Sequence, residues 1–127
     1  MVKVVYNKNM SYDLLKKVCI ACEGKGIKPL SREDAQDYLD EVSLPAQAGG
    51  WILDADAKKI SKEFKFSDFI GAINFVNLVA DIAEQEGHHP DIQIHYNKVE
   101  LVLSTHAIGG LSENDFILAA KVGASKI

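Results

Sequence analysis

Long apolar runs are missing from this chain of 127 residues. None approaches the roughly 20 residues that a helix needs to cross a bilayer. The N-terminus also lacks the apolar segment and the small-residue cleavage site of a secretory signal peptide. We therefore expect a cytoplasmic protein with no membrane partner.

An excess of positive charge is also missing. The chain has 14 Lys and Arg against 18 Asp and Glu, which gives a net charge of −4. Proteins that bind nucleic acids rely on clustered Lys and Arg to contact phosphates, so we expect no nucleic-acid partner. A hydrophobic fraction of 47% and a charged fraction of 25% are typical of one ordinary globular domain at this length.

Cysteine is scarce: Cys19 and Cys22 form a single Cys-x-x-Cys. A structural zinc site needs four ligands, and no second cysteine pair completes one. A thioredoxin-like motif would lie beside a βαβ pattern, which the sequence does not show. Reduced structural thiols are favoured, while a metal site with borrowed ligands and redox chemistry remain open. Residues 1–29 are interpreted as an N-terminal extension and residues 30–127 as the main domain.

Three helices are predicted, each after a serine that can cap it. The first opens at Ser31 and ends before Pro45. The second is capped by Ser67 and runs to about Glu86, and the third is capped by Ser112 and runs from Glu113 to Lys121. The second helix carries more apolar residues than the single stripe of a surface helix. One face can pack on a sheet, and the surplus suggests a second subunit. Deeper burial within one chain is the alternative.

Alternation of apolar and polar residues predicts four strands, at 51–54, 59–66, 91–96 and 99–105. Lys62 is the one polar residue on the apolar side of the second strand, and Asn97-Lys98 is predicted to make the tight turn between the last two. The order strand, strand, helix, strand, strand, helix follows the first helix. It predicts an α+β two-layer sandwich, with an antiparallel four-stranded sheet and helices on one face.

All histidines of the chain lie in one short stretch, as His88, His89, His95 and His106. Histidine changes charge near neutral pH, so this clustering suggests proton transfer or metal binding. Zinc is disfavoured because adjacent histidines chelate poorly and no His-Glu-x-x-His is present. His95 alternates with apolar residues on a strand and is expected on the exposed surface.

The other three histidines are predicted to lie where secondary-structure elements end. His88 and His89 follow the long helix, and His106 follows the last strand. Asp115 lies in the first turn of the final helix. These ends could surround one pocket, in which rigid elements would hold acid and base groups in place.

The spacing Glu84-x3-His88-His89-Pro90-x5-Tyr96-x9-His106-x8-Asp115 resembles the signature of the pterin-4a-carbinolamine dehydratases. The resemblance covers about residues 30–125, so residues 30–127 are taken as a dehydratase domain. It implies a lyase that removes water from a 4a-hydroxytetrahydropterin to give the quinonoid dihydropterin, which recycles the tetrahydropterin cofactor of aromatic amino-acid hydroxylases. It also implies that no metal or organic cofactor is needed, and that the chain forms a homodimer or homotetramer.

The resemblance implies roles for individual residues as well. His88 and His106 would carry out the acid–base steps, in an order that the sequence does not decide, and His89 would bind the pterin. Asp115 would orient a histidine or stabilise its charge, and Glu84 would be structural. A second hypothesis is a protein-binding module, since some relatives also act as dimerisation cofactors for a transcription factor. A third is a metalloprotein that uses Cys19, Cys22 and histidine.

Overall fold

The computed structural model describes residues 14, 17, 28–42 and 50–125. Cys19 and Cys22 lie outside the described residues. The elements in chain order are α1 (Arg32–Val42), β1 (Ile52–Leu53), β2 (Ile60–Lys65), α2 (Phe69–Glu86), β3 (Asp91–His95), β4 (Lys98–Leu103), a short 3₁₀ helix (His106–Ile108) and α3 (Glu113–Ala124).

The four strands form one antiparallel sheet in the order β1-β2-β4-β3. Side chains that alternate along β2 and β4 separate into two faces. The face toward the helices is apolar and includes Ile60, Val99, Leu101 and Leu103, all buried. The opposite face includes Glu63, Lys65, Gln93 and His95, all exposed. The predicted α+β sandwich with helices on one face of the sheet is confirmed.

Helix α2 packs on the sheet through one row of side chains. Ala72, Phe75, Val79 and Ala83 recur at spacings of three and four, and all are buried. The Phe75 ring lies 4.6 Å from the Phe64 ring between centroids, so the strand and helix layers interlock. Burying a side chain of this size stabilises a fold by about 1.5–3 kcal/mol. No described helix combines the length and the apolar composition needed to span a membrane.

The start of the longest helix differs from the prediction. Asp68, not Ser67, is the N-cap, and its carboxylate accepts a hydrogen bond from the Gly71 backbone N–H at 2.8 Å. Asp and Ser cap equally well. The sequence therefore could not choose between neighbouring positions.

The hairpin between β3 and β4 also turns one residue earlier than predicted. Tyr96 and Asn97 form the turn, Tyr96 has a φ of 54°, and Lys98 already belongs to β4. Asn97 is fixed from outside the hairpin, because its side-chain amide donates to the Phe66 carbonyl at 3.0 Å and its own carbonyl accepts from the Phe66 N–H. A contact distant in sequence thus sets the register.

Other ends shift by a few residues. β1 is shorter than predicted, and α3 continues past Lys121 to Ala124. β4 ends at Leu103, because Thr105 pairs with Gly110 instead of with a neighbouring strand. This change matters for the site, because Thr105 lies between the sheet and α3.

Candidate functional site

His88 is placed by the way α2 ends. Gly87 adopts the left-handed conformation, with a φ of 67°, which glycine tolerates best. The Ala83 carbonyl accepts from the N–H groups of both Gly87 and His88. One residue before this cap, Glu86 contacts Lys121 of α3 at 2.5 Å, with both side chains mostly buried. The ion pair between Glu86 and Lys121 therefore holds the C-terminal end of α2 against α3.

Asp115 is placed by the start of α3. Ser112 is the N-cap, and the two residues form a reciprocal capping box, in which the backbone N–H of Ser112 donates to Asp115 Oδ2 at 3.0 Å. Asp115 Oδ1 lies 2.6 Å from His88 Nε2. The Asp115 side chain is 0% exposed and that of His88 is 12% exposed. A residue that caps its own helix thus also contacts the end of another helix.

Thr105 supplies a third contact to the same carboxylate. Its hydroxyl donates to Asp115 Oδ2 at 2.7 Å and lies 2.8 Å from the Ser112 hydroxyl. Two backbone hydrogen bonds with Gly110 hold Thr105 in place. Gly110 itself lies against Pro29, since a Cβ at position 110 would come within 2.8 Å of the proline Cβ.

The carboxylate of Asp115 is fully enclosed by donors. A buried charge is costly unless hydrogen bonds compensate for the lost water. Here the His88 ring, the Thr105 hydroxyl and the Ser112 backbone N–H surround it. Such an arrangement can hold an imidazole in one orientation beside a fixed negative charge, which suits proton transfer.

The other predicted site residues do not join this network. His89 Nε2 lies 2.6 Å from Glu84 Oε2, and the two side chains are 59% and 77% exposed. His106 is exposed, opens the 3₁₀ helix directly after Thr105, and makes no side-chain hydrogen bond within the described part of the chain. His95 is exposed on β3, as predicted. Of the predicted site residues, the structure therefore brings only His88 and Asp115 into contact with each other.

A cavity of about 470 Å³ lies elsewhere, along α1. Its lining includes Asp34, Asp37, Tyr38 and Glu41 but none of the four histidines. His89 and His106 are both exposed. Within the described ranges, no three His, Cys, Asp or Glu side chains are grouped closely enough to hold a metal ion.

Sequence reasoning missed the contribution of Thr105 and the second role of Ser112. Thr105 was assigned only to the strand pattern, and Ser112 only to the helix cap. A hydroxyl on the buried side of a strand needs a hydrogen-bond partner, and this requirement was the available signal. The sequence alone does not identify Asp115 as that partner, because the contact forms only when the loop between Thr105 and Asp115 folds back.

Comparisons with known proteins agree on one family. The family described as "Pterin 4 alpha carbinolamine dehydratase" matches residues 28–125. A relative from Halorhodospira halophila, provisionally named as a pterin-4-alpha-carbinolamine dehydratase, is 49% identical over 111 residues, covering 87% of this chain and 95% of the relative. Pterin-4-alpha-carbinolamine dehydratase 2, mitochondrial, from Arabidopsis thaliana is 42% identical over 118 residues, covering 91% of this chain and 60% of the relative.

A crystal structure with the same fold is also known. The transcriptional coactivator/pterin dehydratase from Brucella melitensis is 32% identical, with a TM-score of 0.66. The alignment covers 76% of this chain and 97% of that chain. The part of this chain that matches the family, residues 28–125, contains His88, His89, His106 and Asp115.

Proposed function

The chain belongs to the pterin 4 alpha carbinolamine dehydratase family, and we propose that it removes water from a 4a-hydroxytetrahydropterin. The product is the quinonoid dihydropterin. This is a hydro-lyase reaction, and it returns an oxidised pterin cofactor to the form that a reductase can use. The contact between His88 and the buried Asp115 is the observation that supports assigning this reaction to particular residues.

The reaction needs one proton removed and one supplied. The C4a–O bond breaks as a base takes the proton from ring nitrogen N5, whose electrons form the new C4a=N5 double bond. An acid gives a proton to the departing hydroxyl, which leaves as water. Acid–base help of this kind accelerates a reaction by about 10²–10⁴-fold.

His88 and His106 are assigned to these two proton transfers. His88 is held by Asp115, which has no exposed surface. His106 follows Thr105, whose hydroxyl contacts the same carboxylate, so its backbone is anchored close to this network. His89 is assigned to binding the pterin, since its exposed ring is available to a ligand.

The test is the rate at which a freshly generated 4a-carbinolamine loses water. Wild-type protein should accelerate the loss, and His88→Ala and His106→Ala should each lower kcat by about 10²–10⁴-fold. His95→Ala is the matched control, because His95 is exposed on β3 outside the network, and it should keep wild-type kcat. If the wild type gives no acceleration, the proposed function is wrong. If both site variants match it, the roles are wrong.

We propose that the chain acts as a homodimer or homotetramer. Exposed apolar side chains include Phe69 and Ile70 on α2, which are 46% and 63% exposed, and Ile94 on β3, which is 39% exposed. β3 is also an edge strand, with backbone groups that a second copy could pair. Light scattering should give a multiple of the monomer mass, and Ile70→Glu should lower it if α2 contributes. A monomeric wild type would contradict the proposal.

A protein-binding module is the second candidate. It rests on the same exposed apolar residues and on the Brucella structure, which is named both coactivator and dehydratase. Affinity capture that recovers only further copies of the chain would count against it.

The expected cytoplasmic location stays a prediction. Since the Arabidopsis relative is named mitochondrial, imaging of a tagged chain in its own cell is the test.

A further inference from the structure

The hydroxyl groups beside Asp115 can donate in only one consistent direction. Thr105 donates its single hydroxyl proton to Asp115 Oδ2 at 2.7 Å. The 2.8 Å contact between Thr105 and Ser112 therefore uses the Ser112 hydroxyl proton, with Thr105 as acceptor. Ser112 Oγ in turn accepts from the Asn114 backbone N–H. Every proton of this chain of hydrogen bonds points toward the carboxylate.

This arrangement leaves no place for a proton on Oδ2 of the carboxylate. Asp115 Oδ2 already accepts from Thr105 and from the backbone N–H of Ser112, so a proton there would face two donors. Oδ1 lies 2.6 Å from His88 Nε2. An ionised carboxylate can only accept, so when Asp115 is ionised the ring nitrogen that faces Oδ1 has to carry the hydrogen.

We propose that the Thr105 and Ser112 hydroxyls are positioning groups that lock His88 in its Nε2–H form, so that Nδ1 is the nitrogen that exchanges protons with the substrate. This inference rests on the proposed function and deepens it, because it assigns the reacting atom of one histidine. If His88 is the base, its neutral ring accepts the N5 proton at Nδ1. If it is the acid, its charged ring gives a proton from the same atom, and His106 makes the other transfer.

Thr105 is well suited to this task because its backbone cannot drift. Its N–H donates to the Gly110 carbonyl at 2.8 Å, and its carbonyl accepts from the Gly110 N–H at 3.4 Å. Its side chain is buried, with the residue only 4% exposed. The pair formed by His89 and Glu84 is a natural contrast, since both side chains are mostly exposed and Glu84 is free to turn away. We expect no fixed tautomer for His89.

The direct test is nitrogen NMR of the full chain with ¹⁵N-labelled histidine, at a pH where the rings are neutral. Long-range proton–nitrogen couplings distinguish the two tautomers, and His88→Asn identifies the His88 signals. We expect His88 to be the Nε2–H tautomer. A predominant Nδ1–H tautomer in the wild type would overturn the proposal without any variant or assay of activity.

Variants of Thr105 then test its positioning role. Thr105→Val keeps the shape of the side chain and removes the donor. The Ser112 N–H is then the one remaining donor of the two at Oδ2, so the carboxylate can turn away from His88. This should raise the Nδ1–H population of His88 and lower kcat by about tenfold, the effect of losing one hydrogen bond to a charge. KM should stay within about twofold, since ground-state binding is untouched. Thr105→Ser is the matched control, and its hydroxyl should restore both readouts.

The outcomes separate this inference from the proposed function. If Thr105→Val leaves the His88 spectrum and kcat as in the wild type, Thr105 has no positioning role. If the wild type shows the Nε2–H tautomer but no dehydratase turnover, the assignment of Nδ1 to dehydration is overturned together with the function. The positioning of His88 would then still be supported by the spectra.

Discussion

Replacing Asp115 by Asn tests the buried network with a change of one atom. The three groups around the carboxylate all donate: the His88 ring, the Thr105 hydroxyl and the Ser112 N–H. An amide has one oxygen, which best serves the two donors at Oδ2. Its NH₂ group then faces His88 Nε2, and two N–H groups cannot bond to each other. The His88 ring therefore has to move its hydrogen to Nδ1 or rotate away.

The expected losses follow from this geometry. Hydrogen bonds to a charged group are worth about 1.5–3 kcal/mol and neutral ones about 0.5–1.5 kcal/mol, so three weakened bonds cost about 3 kcal/mol. The amide also avoids burying a charge, which offsets part of that cost. We expect Asp115→Asn to lower the free energy of unfolding by about 1–3 kcal/mol and kcat by about 10²–10⁴-fold.

The assay combines urea unfolding with turnover of the 4a-carbinolamine, measured at a temperature where the variant is folded. Asp81→Asn is the matched control, because Asp81 is an exposed carboxylate on α2, and it should change neither quantity. A folded Asp115→Asn protein with kcat within about threefold of the wild type would refute the reasoning, because a misplaced ring hydrogen should remove the acid–base contribution.

Two further predictions concern stability. Gly110→Ala places a Cβ within 2.8 Å of Pro29, so it should cost about 1–3 kcal/mol in thermal unfolding, whereas Gly123→Ala, with no atom within 4 Å in α3, should be neutral or stabilising. A stable Gly110→Ala would show that Pro29 yields easily. Burial, followed by the hydrogen bond to Glu113, raises the pKa of Tyr38 to about 12. Stability from Tyr38 is therefore complete below pH 10 and lost toward pH 12, so Tyr38→Phe should cost about 1 kcal/mol at neutral pH and less at about pH 11. A constant difference in urea unfolding across this range would contradict the linkage.

Local sequence signals predicted much of this fold. The alternation of Val99, Leu101 and Leu103 identified the buried face of β4, since a strand turns successive side chains to opposite sides. Ser112 was identified as the cap of α3, and the structure adds the reciprocal bond from Asp115. These features depend on residues within a few positions of one another, so a single sequence contains them.

The site depends on contacts that are distant in sequence. Asp115 and His88 meet because α2 ends against α3, and Thr105 reaches the same carboxylate because Gly110 closes the loop under Pro29. The spacing of the histidines suggested a shared site but could not tell which ring would contact Asp115. The grouping of all three histidines around one pocket stays a prediction from element ends alone. The structure adds that His89 pairs with Glu84.

The burial of Asp115 determines how its contact with His88 responds to ionic strength. Mobile ions screen charges on the surface over about 8 Å at physiological salt, but they scarcely affect pairs from which water is excluded. Asp115 has no exposed surface, whereas Glu84 is 77% exposed. Added salt should thus weaken the exposed contact between Glu84 and His89, while the buried contact between Asp115 and His88 should not change. The contact between Asp115 and His88 is therefore expected to persist in cells of very different salinity.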